Sequence, residues 1–134
     1  MALATTSTKP YLIRAIYEWI VDNDLTPFIA VDTKNPDVYV PKDFIKDDQI
    51  ILNIAPRATN KLRIGNDAIE FQARFSGVVW DIFVPIDSTL AIYAKENNEG
   101  MMFNQIENTV SNKKAKKPKL SLVEGELSNK NPES

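Results

Sequence analysis

Cysteine and histidine are both absent from the 134-residue chain. Without Cys there are no disulfides, thiolate nucleophiles, iron–sulfur clusters or thiolate zinc sites. Without His, the commonest general base and the commonest transition-metal ligand are missing. Glycine is scarce, at four residues, and none builds a phosphate loop, a dinucleotide fingerprint or a nucleophile elbow. No apolar run approaches the roughly 18 residues that a membrane span needs. Met1 to Lys9 is small and polar, without the apolar stretch of a secretory signal. The absences predict a soluble, cytoplasmic protein with no metal, no cofactor and no membrane.

What is present is ordinary for a small globular domain: 43% apolar and 25% charged residues, enough for one modest core. The net charge is −2, but it is unevenly spread. Residues 1–103 hold 10 Lys and Arg against 14 Asp and Glu, while residues 104–134 hold 6 Lys against 4 Glu. The body is mildly acidic and should repel a phosphate backbone. The basic excess sits in a polar tail around Lys113, Lys114, Lys116, Lys117 and Lys119. Such a run reads as a docking segment, a nucleic-acid arm or a solvated linker.

Catalysis would fall to Asp, Glu, Lys, Tyr or Ser, and nothing concentrates them. Asp47-Asp48 would point to opposite faces of a strand and reads as a solvated turn. Asp32, Asp37, Asp43 and Asp47 lack the spacing and the central glycine of a calcium loop. No enzyme is expected.

Periodicity predicts a helix from Lys9 to Asn23, with Pro10 in its first turn. Two apolar stripes run along it: Leu12, Ala15, Ile16 and Trp19, then Ile13, Tyr17 and Ile20. A helix on one sheet needs a single stripe. The second asks for a partner subunit or for a deep seat in the helix's own core. Arg14 and Glu18 are spaced to pair.

Strand-like runs follow at Phe28–Asp32, Val38–Pro41, Gln49–Ala55, Leu62–Ile64, Ala68–Phe75 and Val78–Val84. Gly65-Asn66-Asp67 and Ser76-Gly77 have hairpin chemistry. Ile50, Leu52 and Ile54 match Trp80, Ile82 and Val84 as core candidates. A second helix is expected from Asp87 to Asn97, capped by Asp87 or Ser88, with Met101-Met102-Phe103 folding back on the core. From Asn104 onward aromatics vanish, and that composition predicts disorder. The fold class is therefore α+β, mainly β: an N-terminal helix, a small antiparallel sandwich or partly open barrel, and a disordered C-terminal tail. Asn53 interrupts a run of Ile and Leu before Pro56 and Arg57. It either helps fix a ligand beside exposed backbone or ends a strand on its wet face. Phe71, Ala73 and Phe75 read as inward positions, Gln72 and Arg74 as outward ones.

The run Pro10-Tyr11-Leu12-Ile13-Arg14-Ala15-Ile16-Tyr17-Glu18-Trp19-Ile20 resembles the opening helix of the stringent starvation protein B (SspB) family. Leu25-Thr26-Pro27, Gln49 to Ala58, Phe71 to Gly77 and Leu90 to Asn97 resemble its later blocks in order. The resemblance implies an adaptor of the ClpXP protease that binds ssrA-tagged polypeptides and hydrolyses nothing. It implies a flexible segment 1–8, a tag-binding and dimerisation domain at 9–103 and a tail at 104–134. It implies a homodimer joined through Leu12, Ile13, Ile16, Tyr17 and Ile20. The peptide groove would be built from Asn53, Ile54 and Ala55 with Phe71, Gln72, Ala73, Arg74 and Phe75. Lys117, Pro118, Lys119, Leu120, Leu122 and Val123 resemble the segment that docks on the N-terminal zinc-binding domain of ClpX. Here that segment is followed by Glu124 to Ser134, whereas the family pattern ends the chain. The spacer before it, thirteen residues from Asn104, would span at most about 45 Å. A small-barrel RNA-binding protein with a basic tail is the alternative, and the acidic body argues against it.

Overall fold

The computed structural model describes residues 6–103. The tail with its docking segment Lys117–Val123 lies outside the described residues. Helix α1 spans Lys9–Asp22. Pro10 occupies its first turn, where a missing N–H costs nothing, and the Lys9 N–H donates to Ser7 Oγ at 3.1 Å. The helix stops where Asp24 takes a left-handed φ of 59°. The Leu25 N–H then reaches the Ile20 carbonyl at 3.0 Å, and the Asp24 N–H reaches Val21 at 3.0 Å. This paired closure satisfies carbonyls the helix would leave bare.

Among the described residues seven strands follow: β1 Pro27–Asp32, β2 Gln49–Asn53, β3 Asn60–Ile64, β4 Ala68–Phe75, β5 Val78–Pro85, β6 Thr89–Ala94 and β7 Gly100–Met102. They form two antiparallel sheets, ordered β2-β1-β6-β7 and β3-β4-β5. Among the described residues, two sheets and no closed barrel make a sandwich. The β4–β5 turn is Ser76-Gly77, both at positive φ (52° and 83°), directly flanked by the pair Phe75↔Val78. That geometry matches the right-handed twist of the strands it joins. Asp47 and Asp48, at 54° and 61°, make a second tight turn between Lys46 and Gln49, and both are exposed.

The inner faces meet in one core. Ile29 and Val31 of β1, Ile50 and Leu52 of β2, Ile69 and Phe71 of β4, Ile82 and Val84 of β5 and Ile92 of β6 are all buried. Ile13 and Ile20 of α1 join the same cluster with no exposed surface. Burying each such isoleucine contributes about 1.5–3 kcal/mol. No helix among the described residues is long and apolar enough to cross a membrane.

Four expectations need correction. The second helix does not form. Ile86–Ser88 makes a single 3-10 turn, and Thr89–Ala94 is strand β6, held between β1 and β7. Of Val38–Pro41, only Tyr39 pairs, in an isolated bridge with Phe83. The strand expected to reach Ala55 ends at Asn53. Arg14 does not turn to Glu18. Its guanidinium donates to the Ile64 carbonyl and to Asn66 Oδ1, each at 2.9 Å. Met101-Met102-Phe103 does return to the body, as β7 followed by a Phe103 N–H donated to the Leu90 carbonyl at 2.8 Å.

Candidate functional site

The most distinctive surface lies where the β1–β2 connection leaves the edge of β5. β5 has β4 on one side only. On the other, Tyr39 donates to the Phe83 carbonyl at 2.9 Å and Phe83 donates back at 3.1 Å. Had this segment continued antiparallel, Pro41 would face Asp81 and Asp43 would face Val79. Pro41 has no N–H to give. The chain instead winds into a 3-10 turn at Lys42–Phe44, with Phe44 N–H bonded to Pro41 and Ile45 N–H to Lys42, both at 3.1 Å. It peels away from β5 after a single residue of pairing.

The peeled segment and the end of the β4–β5 hairpin enclose a slot of about 750 Å³. Val38, Tyr39 and Phe44 line one wall, and Phe75, Val78 and Trp80 the other. Tyr39 and Trp80 rings stand 5.8 Å apart, and Phe44 meets Phe75 edge-on at 5.2 Å. Tyr39 remains 57% exposed, Phe44 46% and Val78 58%. Aromatic rings this open bury little of what they gain by leaving water. An apolar slot bordered by a free strand edge suits an extended polypeptide.

The residues expected to form a groove are dispersed. Phe75 lines the slot. Ala73 is half-buried on the inner face, opposite Trp80. Phe71 is buried in the core. Gln72 and Arg74 occupy the outer face of the three-stranded sheet. There Gln72 donates to Asp81 at 2.9 Å and accepts from Asn60 at 3.4 Å. Asn53 turns on its own backbone, its Oδ1 accepting the Ala55 N–H at 2.9 Å. Ile54 and Ala55 are buried. Asn53, Ile54 and Ala55 thus close the end of β2 and do not line the slot. Tyr39, Phe44, Val78 and Trp80 line the slot and are not among the residues expected to form the groove. An aromatic in the loop before a Pro was the available signal.

A second groove, of about 630 Å³, runs between α1 and β3. Arg14, Glu18, Asp22 and Lys61 give it walls of mixed charge, and Arg14 is already committed to Ile64 and Asn66.

The two stripes of α1 differ in burial at their ends and meet in the middle at half-buried Ile16 and Tyr17. Ile13 and Ile20 are fully buried, and Tyr17 is half-buried beside them. Leu12 is 38% and Trp19 42% exposed, with Ala15 exposed and Ile16 half-buried between them. Of the five expected interface residues, Ile13 and Ile20 have no surface left for a second chain. Leu12, Ile16 and Tyr17 do, together with Ala15 and Trp19.

Compared with known families, residues 7–134 match the family model described as stringent starvation protein B. The chain is also similar to a protein of Haemophilus influenzae named stringent starvation protein B homolog. Identity is 46% over 103 residues, which cover 77% of this chain and 69% of that one.

Proposed function

From the premise that this chain belongs to the stringent starvation protein B family, we propose that it is a delivery adaptor, binding ssrA-tagged polypeptides and tethering them to the ClpXP protease. The observation that carries the reading is the slot: a free β5 edge beside the rings of Tyr39, Phe44, Phe75 and Trp80. An unstructured tag can lie there as it could not on a closed sheet. Arg74 is exposed and forms no ion pair among the described residues, so it is free to meet an acidic residue of the tag. Two protomers join through the open stripe Leu12, Ala15, Ile16 and Trp19. Lys117–Val123 docks on the N-terminal zinc-binding domain of ClpX.

Nothing in this scheme asks the adaptor for chemistry. Holding the tag and the unfoldase on one molecule converts a bimolecular encounter into an intramolecular one. Effective concentrations near mM are typical of short tethers, and two copies per dimer add avidity. The test is degradation of an ssrA-tagged substrate by ClpXP with and without this protein. The apparent KM is expected to fall on addition, and an unchanged KM sinks the reading. Deleting residues 113–134 is expected to abolish stimulation while leaving tag binding intact.

A further inference from the structure

We propose that β7 is a latch, sprung by the buried ammonium of Lys9, whose release adds chain to the tether. That use rests on the adaptor reading, whereas the opening itself does not. β7 is the last strand of the described residues and lies at an edge of its sheet, so only β6 pairs with it. Three residues pair, Gly100, Met101 and Met102. Beyond them the Phe103 N–H donates to the Leu90 carbonyl, and before them the Ala94 N–H donates to the Glu99 carbonyl, each at 2.8 Å. Met102 is 85% exposed, so its side chain adds almost no packing.

Lys9, the first residue of α1, closes over the end of this strand. Its Nζ lies 5.0 Å from the centre of the Phe103 ring. Lys9 is only 7% exposed, and Nζ is buried with no hydrogen-bond partner among the described residues. A ring face returns part of what an ammonium loses with its water, but it does not replace three hydrogen bonds. The positive end of the helix dipole also disfavours a cation there. Burial pulls the Lys9 pKa below the ordinary lysine range, against the attraction of Asp87. When Phe103 swings away the ammonium regains water, and that gain offsets part of the lost pairing. The opening has a stop at Glu96. Its carboxylate accepts the Thr26 N–H and hydroxyl, and the neighbouring Lys95 N–H donates to the Thr26 carbonyl. Release therefore frees the seven residues from Asn97 to Phe103, about 25 Å of extended chain. Added to the thirteen residues from Asn104 to Lys116, they raise the greatest reach from about 45 Å to about 70 Å.

The opening is read by backbone hydrogen exchange in the unaltered protein. The Ala94 and Phe103 amides are expected to exchange together, with protection at least tenfold lower than that of Thr26 and Lys95. Equal protection at all four overturns the latch, because β7 would then open only with the chain beyond its stop. Lys9→Met removes the charge and keeps a linear stem over Phe103. It is expected to raise protection at Ala94 and Phe103 at least tenfold and to leave Lys95 unchanged. Unchanged or lower protection overturns the role of the ammonium, which would then hold the strand shut. Should Lys9→Met fail to fold, the comparison of four amides in the unaltered protein decides alone. In degradation of an ssrA-tagged substrate by ClpXP, Lys9→Met is expected to raise the apparent KM at least threefold while tag binding stays the same. An unchanged KM overturns the gain in reach. No stimulation by the unaltered protein overturns the adaptor reading instead, and the exchange result is independent of it.

Discussion

Glu96 ties the end of α1 to the end of β6 through one carboxylate. It accepts the Thr26 N–H at 2.8 Å and the Thr26 hydroxyl at 2.7 Å, while the Lys95 N–H donates to the Thr26 carbonyl at 2.8 Å. The two Thr26 bonds hold the Glu96 carboxyl below its ordinary range. Its folded pKa therefore lies under its unfolded one. The stability it contributes is fully present above the unfolded value, near 4.3, and is lost as pH falls through the folded value. Glu96→Gln is expected to lower the urea midpoint at pH 7 and to flatten its fall between neutral pH and acid. An acid limb as steep as the parent's would show that Glu96 has no part in it. At this scale the sequence was least legible. Asn53, Gln72 and Glu96 are all polar residues flanking apolar runs, and only the fold decides which of them spends its hydrogen bonds locally. Asn53 and Gln72 do so, on Ala55 and on Asp81.

Elements were more legible where their period was unambiguous. Ile69–Phe75 alternates strictly, and the run expected at Ala68–Phe75 is a strand with those bounds, flanked by the expected Ser76-Gly77 turn. Thr89–Ala94 misled because it is a central strand. Ala91 and Ile92 are both buried although they face opposite sides of the sheet. A strand covered on both faces has no alternation to display and resembles a helical run. Pairing with β1 and β7, absent from any local signal, settles it. Gly100 makes the second pairing possible. A Cβ there would overlap the Ile92 carbonyl oxygen and crowd Tyr93. Gly100→Ala is expected to push β7 off β6 and to cost about 1–3 kcal/mol. The Ala94 and Phe103 amides, bonded to Glu99 and Leu90, should lose protection from hydrogen exchange first. Unchanged protection at both would mean that β7 tolerates the side chain.

On the scale of the whole molecule the question is which surface of α1 belongs to the protomer and which is open to the proposed second copy. Helical periodicity identifies two stripes but carries no direction, since either could face the core. The sandwich supplies the direction by seating Ile13 and Ile20 among Ile29, Ile92 and Ala94. Leu12, Ala15 and Trp19 are left outside, with half-buried Ile16 between them, as an apolar row along about two turns. Scattered exposed hydrophobics are unremarkable, but a row is an interface signature. Two substitutions one residue apart separate the roles. Ile13→Ala opens a cavity in a buried site and is expected to cost about 2–5 kcal/mol in folding, whatever the oligomeric state. Leu12→Glu leaves the core intact and places a charge in the proposed dimer seam. It is expected to convert the protein to monomers in sedimentation while leaving the circular dichroism spectrum unchanged. A dimer held by this row also has an unfolding midpoint that rises with protein concentration, and in Leu12→Glu that dependence should vanish. If Leu12→Glu sediments as the parent does, the stripe joins no second copy, and the avidity of paired tethers goes with it. The proposed tag binding in the slot is expected to survive that result, because the slot is lined within a single protomer.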